Sequence, residues 1–168
     1  LGTINKLRED NKRLKEQMQE QQKNLQKYAK EYYLMGNECI THMHDTRAAL
    51  ANYDKAIELY PDYADAWVRK GVTLFNADRI NEAEACLDKA VRLRPMEFKT
   101  VYNRGKLRLH TGDTEGAIAD LDKATTLKPQ HAGAHECFGD ALTQAGKEME
   151  AAIQYRLAEE LRKRKSNQ

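Results

Sequence analysis

The sequence predicts an all-α protein, a right-handed superhelical solenoid of four helix-turn-helix repeats preceded by a long coiled-coil-like helix. Pro61, Pro95 and Pro129 stand 34 residues apart, each closing a near-identical phrase: DKAIELYP at 54–61, DKAVRLRP at 88–95 and DKATTLKP at 122–129. Gly71, Gly105 and Gly139 keep the same spacing, as do Ala83, Ala117 and Ala151. A period of this length marks stacked supersecondary units, none of which can bury its apolar face alone. The first 28 residues lie outside the pattern, with no Pro, no Gly after Gly2 and no aromatic residue before Tyr28.

That opening segment reads as a heptad helix. Ile4, Asn11, Met18 and Leu25 fall at a, and Leu7, Leu14, Gln21 and Tyr28 at d. Asn11 at an a position favours a parallel, in-register dimer, because two Asn side chains can hydrogen-bond across the seam. Asp10 and Lys15 add an attractive interchain pair in that arrangement. The dimerisation set is therefore Ile4, Leu7, Asn11, Leu14, Met18 and Leu25. The same stripe would also suit a helix folded back as a cap on the solenoid, or an arm left partly frayed, and spacing alone does not choose. The frame runs on through Tyr32 and Met35, which allows one helix to join the segment to the first repeat.

The repeats follow at 29–63, 64–97, 98–131 and 132–165, with a tail at 166–168. In the second, Trp67, Gly71, Leu74, Ala83, Leu87, Ala90 and Pro95 carry the frame; in the third, Val101, Gly105, Ala117, Leu121, Ala124 and Pro129 do so. The fourth has Gly139, Leu142, Ala151, Tyr155 and Ala158, with Lys163 where Pro is expected. The first fits in two halves, Tyr32 and Gly36, then Ala49, Tyr53, Ala56 and Pro61, with one extra residue in the HMHDT turn at 42–46. Gly and Ala let antiparallel helices approach closely, and Pro stops the second helix of each pair. Gly112 and Gly146 break the chain between the helices of the third and fourth repeats, as C-caps do. Lys70, Arg104 and Arg108 stand at positions usually apolar, which predicts weaker packing there. This frame resembles the tetratricopeptide repeat, a helix-turn-helix unit of about 34 residues, and the resemblance covers 29–165.

The resemblance implies binding of peptides or partner helices in a concave face lined by the first helix of each repeat. Carried onto this chain, it selects Tyr33, Asn37 and Ile40, then Asp65, Val68, Arg69, Val72 and Phe75. It further selects Lys99, Tyr102, Asn103, Lys106 and His110, and finally Glu136, Asp140 and Thr143. The middle of this row is apolar to basic and its far end acidic, which suits a protein or peptide segment with an apolar anchor and a carboxylate. The same residues taken singly are ordinary solvated side chains on a helix face. A carboxylate clamp of the kind co-chaperones of this family use is not expected. Of its five positions only Asn37 and Lys99 match, with Tyr33, Arg69 and Asn103 at the others, and too few cations converge to hold a chain terminus.

Catalytic and metal chemistry find no footing. His131 and His135 are four apart, but His131 precedes its helix and no third ligand accompanies them; His42 and His44 fit a polar turn. Cys137 neighbours His135 two residues away, on a different side of a helix. Gly112, Gly116 and Gly146 sit in hairpin turns rather than a phosphate loop. No enzyme, metal or cofactor is expected. With 28 Lys plus Arg against 26 Asp plus Glu, the net charge of +2 gives no general pull towards nucleic acid or a membrane surface. Arg162, Lys163, Arg164 and Lys165 suit the end of the last helix through its dipole. Cys39, Cys86 and Cys137 are too scattered for a disulfide framework, which points to a reducing, cytoplasmic setting. The expected function is a non-catalytic adaptor, a homodimer through its N-terminal helix. The alternatives are a self-assembling structural protein whose solenoid ends or faces stack, since Ile153, Leu157 and Leu161 line the last helix, or an interaction domain of a larger regulatory protein.

Overall fold

The computed structural model describes residues 1–166, and every regular element among them is an α-helix. In chain order these are α1 (Gly2–Thr41), α2 (Thr46–Leu59), α3 (Ala64–Asn76), α4 (Ile80–Leu93), α5 (Phe98–Thr111), α6 (Thr114–Leu127), α7 (Ala132–Gln144) and α8 (Glu148–Ser166). They form two compact units, Leu1–Ala66 and a second beginning at Trp67, so the division falls inside α3.

In the first unit α1 runs unbroken from the heptad segment into the first repeat, and residues 2–25 of it are exposed throughout. A helix without a turn cannot fold back as a cap, which removes that alternative for residues 1–28. From Ala29 onwards α1 packs on α2. Cys39, Ala49 and Tyr53 make one small core, and Ala29, Ala56 and Ala66 another, walled by Tyr32, Tyr33, Tyr60 and Tyr63. Asp45 caps α2, its Oδ1 accepting from the Ala48 N–H at 2.9 Å.

The turn ending each first helix repeats in register. His44, Asp78, Gly112 and Gly146 all have positive φ, at 53°, 61°, 81° and 74°, and successive members are 34 residues apart. Beyond three of them the chain closes a bond of the same kind, from the Arg79 N–H to the Leu74 carbonyl, Lys147 to Leu142 and, across one residue more, Asp45 to Cys39, each 2.9 Å. This satisfies carbonyls that a helix C-terminus leaves open. Because Gly36 and Gly71 are 35 apart while His44 and Asp78 are 34 apart, the extra residue of the first repeat lies ahead of His44.

In the second unit α3 pairs with α4, α5 with α6 and α7 with α8. Glycine permits the approach: a Cβ on Gly71 would lie 2.8 Å from Leu87 Cγ, and one on Gly105 2.8 Å from Leu121 Cγ. Ala117, Leu121, Phe138, Ala141, Leu142 and Ala151 form one core cluster, and Val91, Val101 and Ala124 another. These are largely the residues of the 34-residue frame, so the pattern marks the interior.

One expectation is overturned here. Arg104 and Arg108 do not weaken the packing; they are the hub of an ion network joining α4, α5 and α6. Arg104 grips Asp120 with two bonds of 2.8 Å, from Nε and Nη2, and reaches Asp88 with Nη1 at 3.1 Å. Arg108 Nη1 donates to Asp120 at 3.1 Å, and its enclosed Nε lies 3.4 Å from Asp113 Oδ2 without hydrogen-bond geometry. The hydrogen bonds to Asp120, outweighing burial, raise the Arg104 pKa above its already high ordinary value. A bidentate guanidinium-carboxylate pair is among the strongest side-chain contacts, so the charges are compensated where they are buried.

At the far end Lys163 stands where other repeats have Pro, and α8 accordingly runs on to Ser166, whose hydroxyl donates to the Arg162 and Lys163 carbonyls at 3.2 and 3.0 Å. Ser166 thus belongs to the helix, while Asn167 and Gln168 of the expected tail lie outside the described residues.

Candidate protein-interaction surface

The first helices of the second unit, α3, α5 and α7, bring several of the selected residues together. Phe75 of α3 meets His110 of α5 edge-on, ring centroids 5.1 Å apart. Tyr102 of α5 reaches α7, its hydroxyl 3.9 Å from Cys137 Sγ. The Lys106 ammonium sits 5.6 Å from the centre of the Tyr102 ring. Burial, with Cys137 beside it, pushes the Tyr102 phenol far above its ordinary range, and burial raises the Cys137 thiol too. Both groups therefore stay neutral, and neither is a nucleophile at ordinary pH.

Around these half-buried rings, Arg69, Lys99, Lys106 and His110 are exposed, and Val72 and Asn103 are half-buried. Asn103 spends its amide N–H on the Lys99 carbonyl at 2.8 Å. Asp140 accepts from the Tyr155 hydroxyl at 2.8 Å. In the first unit, Asn37 Oδ1 likewise accepts from Tyr53 at 2.9 Å, and Tyr33 packs against Tyr53 and Tyr63. Asn37 and Asp140 are thus each tied to a tyrosine of their own hairpin.

Val68 needs correction. It is only 6% exposed, so it belongs to the interior and offers no wall to a ligand.

Sequence reasoning missed an aromatic nest at the start of α5. Phe98 stacks on Tyr102 at 5.0 Å, His131 touches both at 4.7 and 5.2 Å, and the Lys128 ammonium lies 4.8 Å over Phe98. The signal was there, Phe98 and Tyr102 being one helical turn apart, but His131 joins them only through the fold. His131 Nδ1 accepts from the Ala134 N–H at 3.0 Å, capping α7, and burial with Lys128 nearby lowers its pKa. His135 is buried, bridging Gln154 and the Pro129 carbonyl at 2.7 and 2.9 Å. Among the described residues no group of three or more His, Cys, Asp or Glu could hold a metal ion, and no helix is long and apolar enough to cross a membrane. Cys39, Cys86 and Cys137 are free thiols.

The proposed dimerisation residues form the exposed stripe of α1. Ile4, Leu7, Leu14 and Met18 are 54–62% exposed and Leu25 39%, with Asn11 exposed among them.

Sequence models of the tetratricopeptide repeat match residues 42–102, 73–132 and 102–167, three quarters of the chain when joined. The chain belongs to the tetratricopeptide repeat family. An uncharacterised protein of Methanocaldococcus jannaschii is 35% identical over 77 residues, 46% of this chain and 88% of that protein. The MamA crystal structure superposes with a TM-score of 0.75 at 21% identity, covering 83% of this chain and 81% of MamA. The first TPR domain of Spaghetti, bound to the HSP90 peptide SRMEEVD, superposes with a TM-score of 0.69 at 19% identity, over 72% of this chain and 98% of that domain. At such identities the likeness is one of fold; the tetratricopeptide repeat family, to which the sequence models assign the chain, is in general a non-catalytic protein-interaction family.

Proposed function

We propose that the chain is a non-catalytic adaptor that holds a segment of a partner protein along α3, α5 and α7, and that α1 pairs two copies. The observation that carries the groove is the combination on α5: a half-buried Tyr102 ring beneath an exposed Lys106 ammonium, with Lys99 and Arg69 exposed on the same row of helices. An aromatic floor offers an apolar anchor its place, and the cations offer a carboxylate theirs. Phe75, Val72, Asn103, His110 and Asp140 frame that floor in the second unit, and Tyr33 and Asn37 of the first unit are candidates on their own hairpin. Pairing through Ile4, Leu7, Asn11, Leu14, Met18 and Leu25 would raise the apparent affinity for a bivalent partner through effective concentration, without new contacts. The setting that fits three free thiols is the reducing cytoplasm.

The test is an affinity capture from native lysate with the intact chain and with Lys99→Glu plus Lys106→Glu. Loss of a captured protein on charge reversal, with helical content unchanged by circular dichroism, is the expected result. Capture that survives reversal but disappears with Leu7→Asp plus Leu14→Asp would move recognition from the groove to α1.

A second reading is favoured by α8, where Ile153 and Leu157 face outward: self-assembly through that face.

A further inference from the structure

α8 presents two faces. Ala151 and Ala158 are buried towards α7, Tyr155 lies against Gly139, and Arg162 is paired with Glu136. The opposite face carries Ile153, 57% exposed, and Leu157, 38% exposed, with Leu161 half-buried beside them. Leu157 and Leu161 form one side of an apolar slot of about 280 Å³ completed by Pro129 and His135. Charges bracket this stripe by sign: Glu148 and Glu150 open the helix, and Lys163, Arg164 and Lys165 close it. On the outward face Arg156, Glu160 and Arg164 have no ion-pair partner within 4 Å among the described residues, and Glu150 has only Lys147, at 3.9 Å.

We infer that this face binds the same face of a second copy, the two α8 helices running antiparallel about a twofold axis at Leu157. The inference rests on the self-assembly reading and not on the groove. In that register Leu157 meets its own counterpart, and Ile153 comes opposite Leu161 of the other copy, at the slot. Glu150 comes opposite Arg164, and Arg156 lies two positions off Glu160, on the same side of the pair. Each pairing occurs twice, as an isologous interface requires. All four charged contacts are attractive. A parallel pairing would instead set Glu150 against Glu150 and Arg164 against Arg164, so the charge pattern selects the antiparallel one. Nineteen residues give about 28 Å of helix, long enough to place both charged ends beyond the apolar centre.

The experiment is sedimentation equilibrium of the full chain in a Leu7→Asp plus Leu14→Asp background, which removes pairing through the exposed stripe of α1. The chain is expected to dimerise still. Glu150→Arg and Arg164→Glu should each weaken the dimer about tenfold, since each turns two attractions into repulsions. The double variant should return the dissociation constant to within about twofold of the background. Leu157→Asp should leave a single-chain mass with unchanged helical content. A background chain that stays monomeric at every concentration overturns both the inference and the reading beneath it. A dimer that Leu157→Asp disrupts, but that the double swap does not restore, overturns the register and leaves self-assembly through α8 standing.

Discussion

The opening of α1 and the hairpin of α5 and α6 are inversions of one another. The first puts Ile4, Leu7, Leu14 and Met18 into solvent, while the second carries Arg104 and Asp120 inside. Both departures read on paper as faults, an uncovered apolar stripe and charges in a core. The difference lies in what each side chain can reach. Arg104 has α4 and α6 on either side and finds two carboxylates within 3.1 Å. The opening of α1 has no neighbouring helix among the described residues of its unit. Burial is therefore decided by geometry across helices, and a residue's own polarity predicts it only when its partners are known.

Breaking the ionic side of this comparison should have the largest effect. Asp120→Ala leaves two half-buried guanidinium groups with only Asp88 and Asp113 near them and should destabilise the chain by about 2–4 kcal/mol in urea unfolding. Arg104→Leu, which leaves Asp120 held by Arg108, should cost clearly less; equal losses would mean that the three residues do not act as a network. A steric probe of the same repeat comes next. Gly105→Val drives a side chain into Leu121 and should cost about 1–3 kcal/mol by the same measurement. The smallest effect belongs to the other region: Leu14→Asp should leave the unfolding of the separated chain unchanged, while shifting the sedimentation mass of the intact protein downward. A loss of monomer stability there would mean that the stripe packs on its own chain.

Much of this was legible before any coordinates. The frame of Gly, Ala and Leu marks the interior because close helix approach tolerates few alternatives, the frame prolines being exposed at the helix ends, and α1 runs unbroken because nothing in its sequence stops it. The ion network was not legible, since Arg104 and Asp120 stand 16 residues apart on different helices and only the hairpin brings them together. Val68 was misplaced for a related reason: on α3 a groove wall and a core position are separated by a single residue, Arg69 being exposed and Val68 enclosed. The nest of Phe98, Tyr102 and His131 depends on a loop residue, which helical periodicity cannot place.

The unbroken α1 gives the molecule a fixed rotational phase. Forty residues at about 1.5 Å each make a rod of about 60 Å, stiff in torsion because its hydrogen bonds run on from the free segment into the hairpin with α2. Its apolar line drifts by about 20° per heptad on a straight helix, so a mate can follow the line only by winding the pair to the left. That winding has no swivel in which to dissipate before Ala29, where α1 enters the first repeat. One residue inserted near Lys27 would turn the stripe by about 100° relative to the repeat, and seven would nearly restore it. The length of α1 is in this sense an angular setting, cut in steps of one residue, for the direction in which the first repeat faces when two chains are joined.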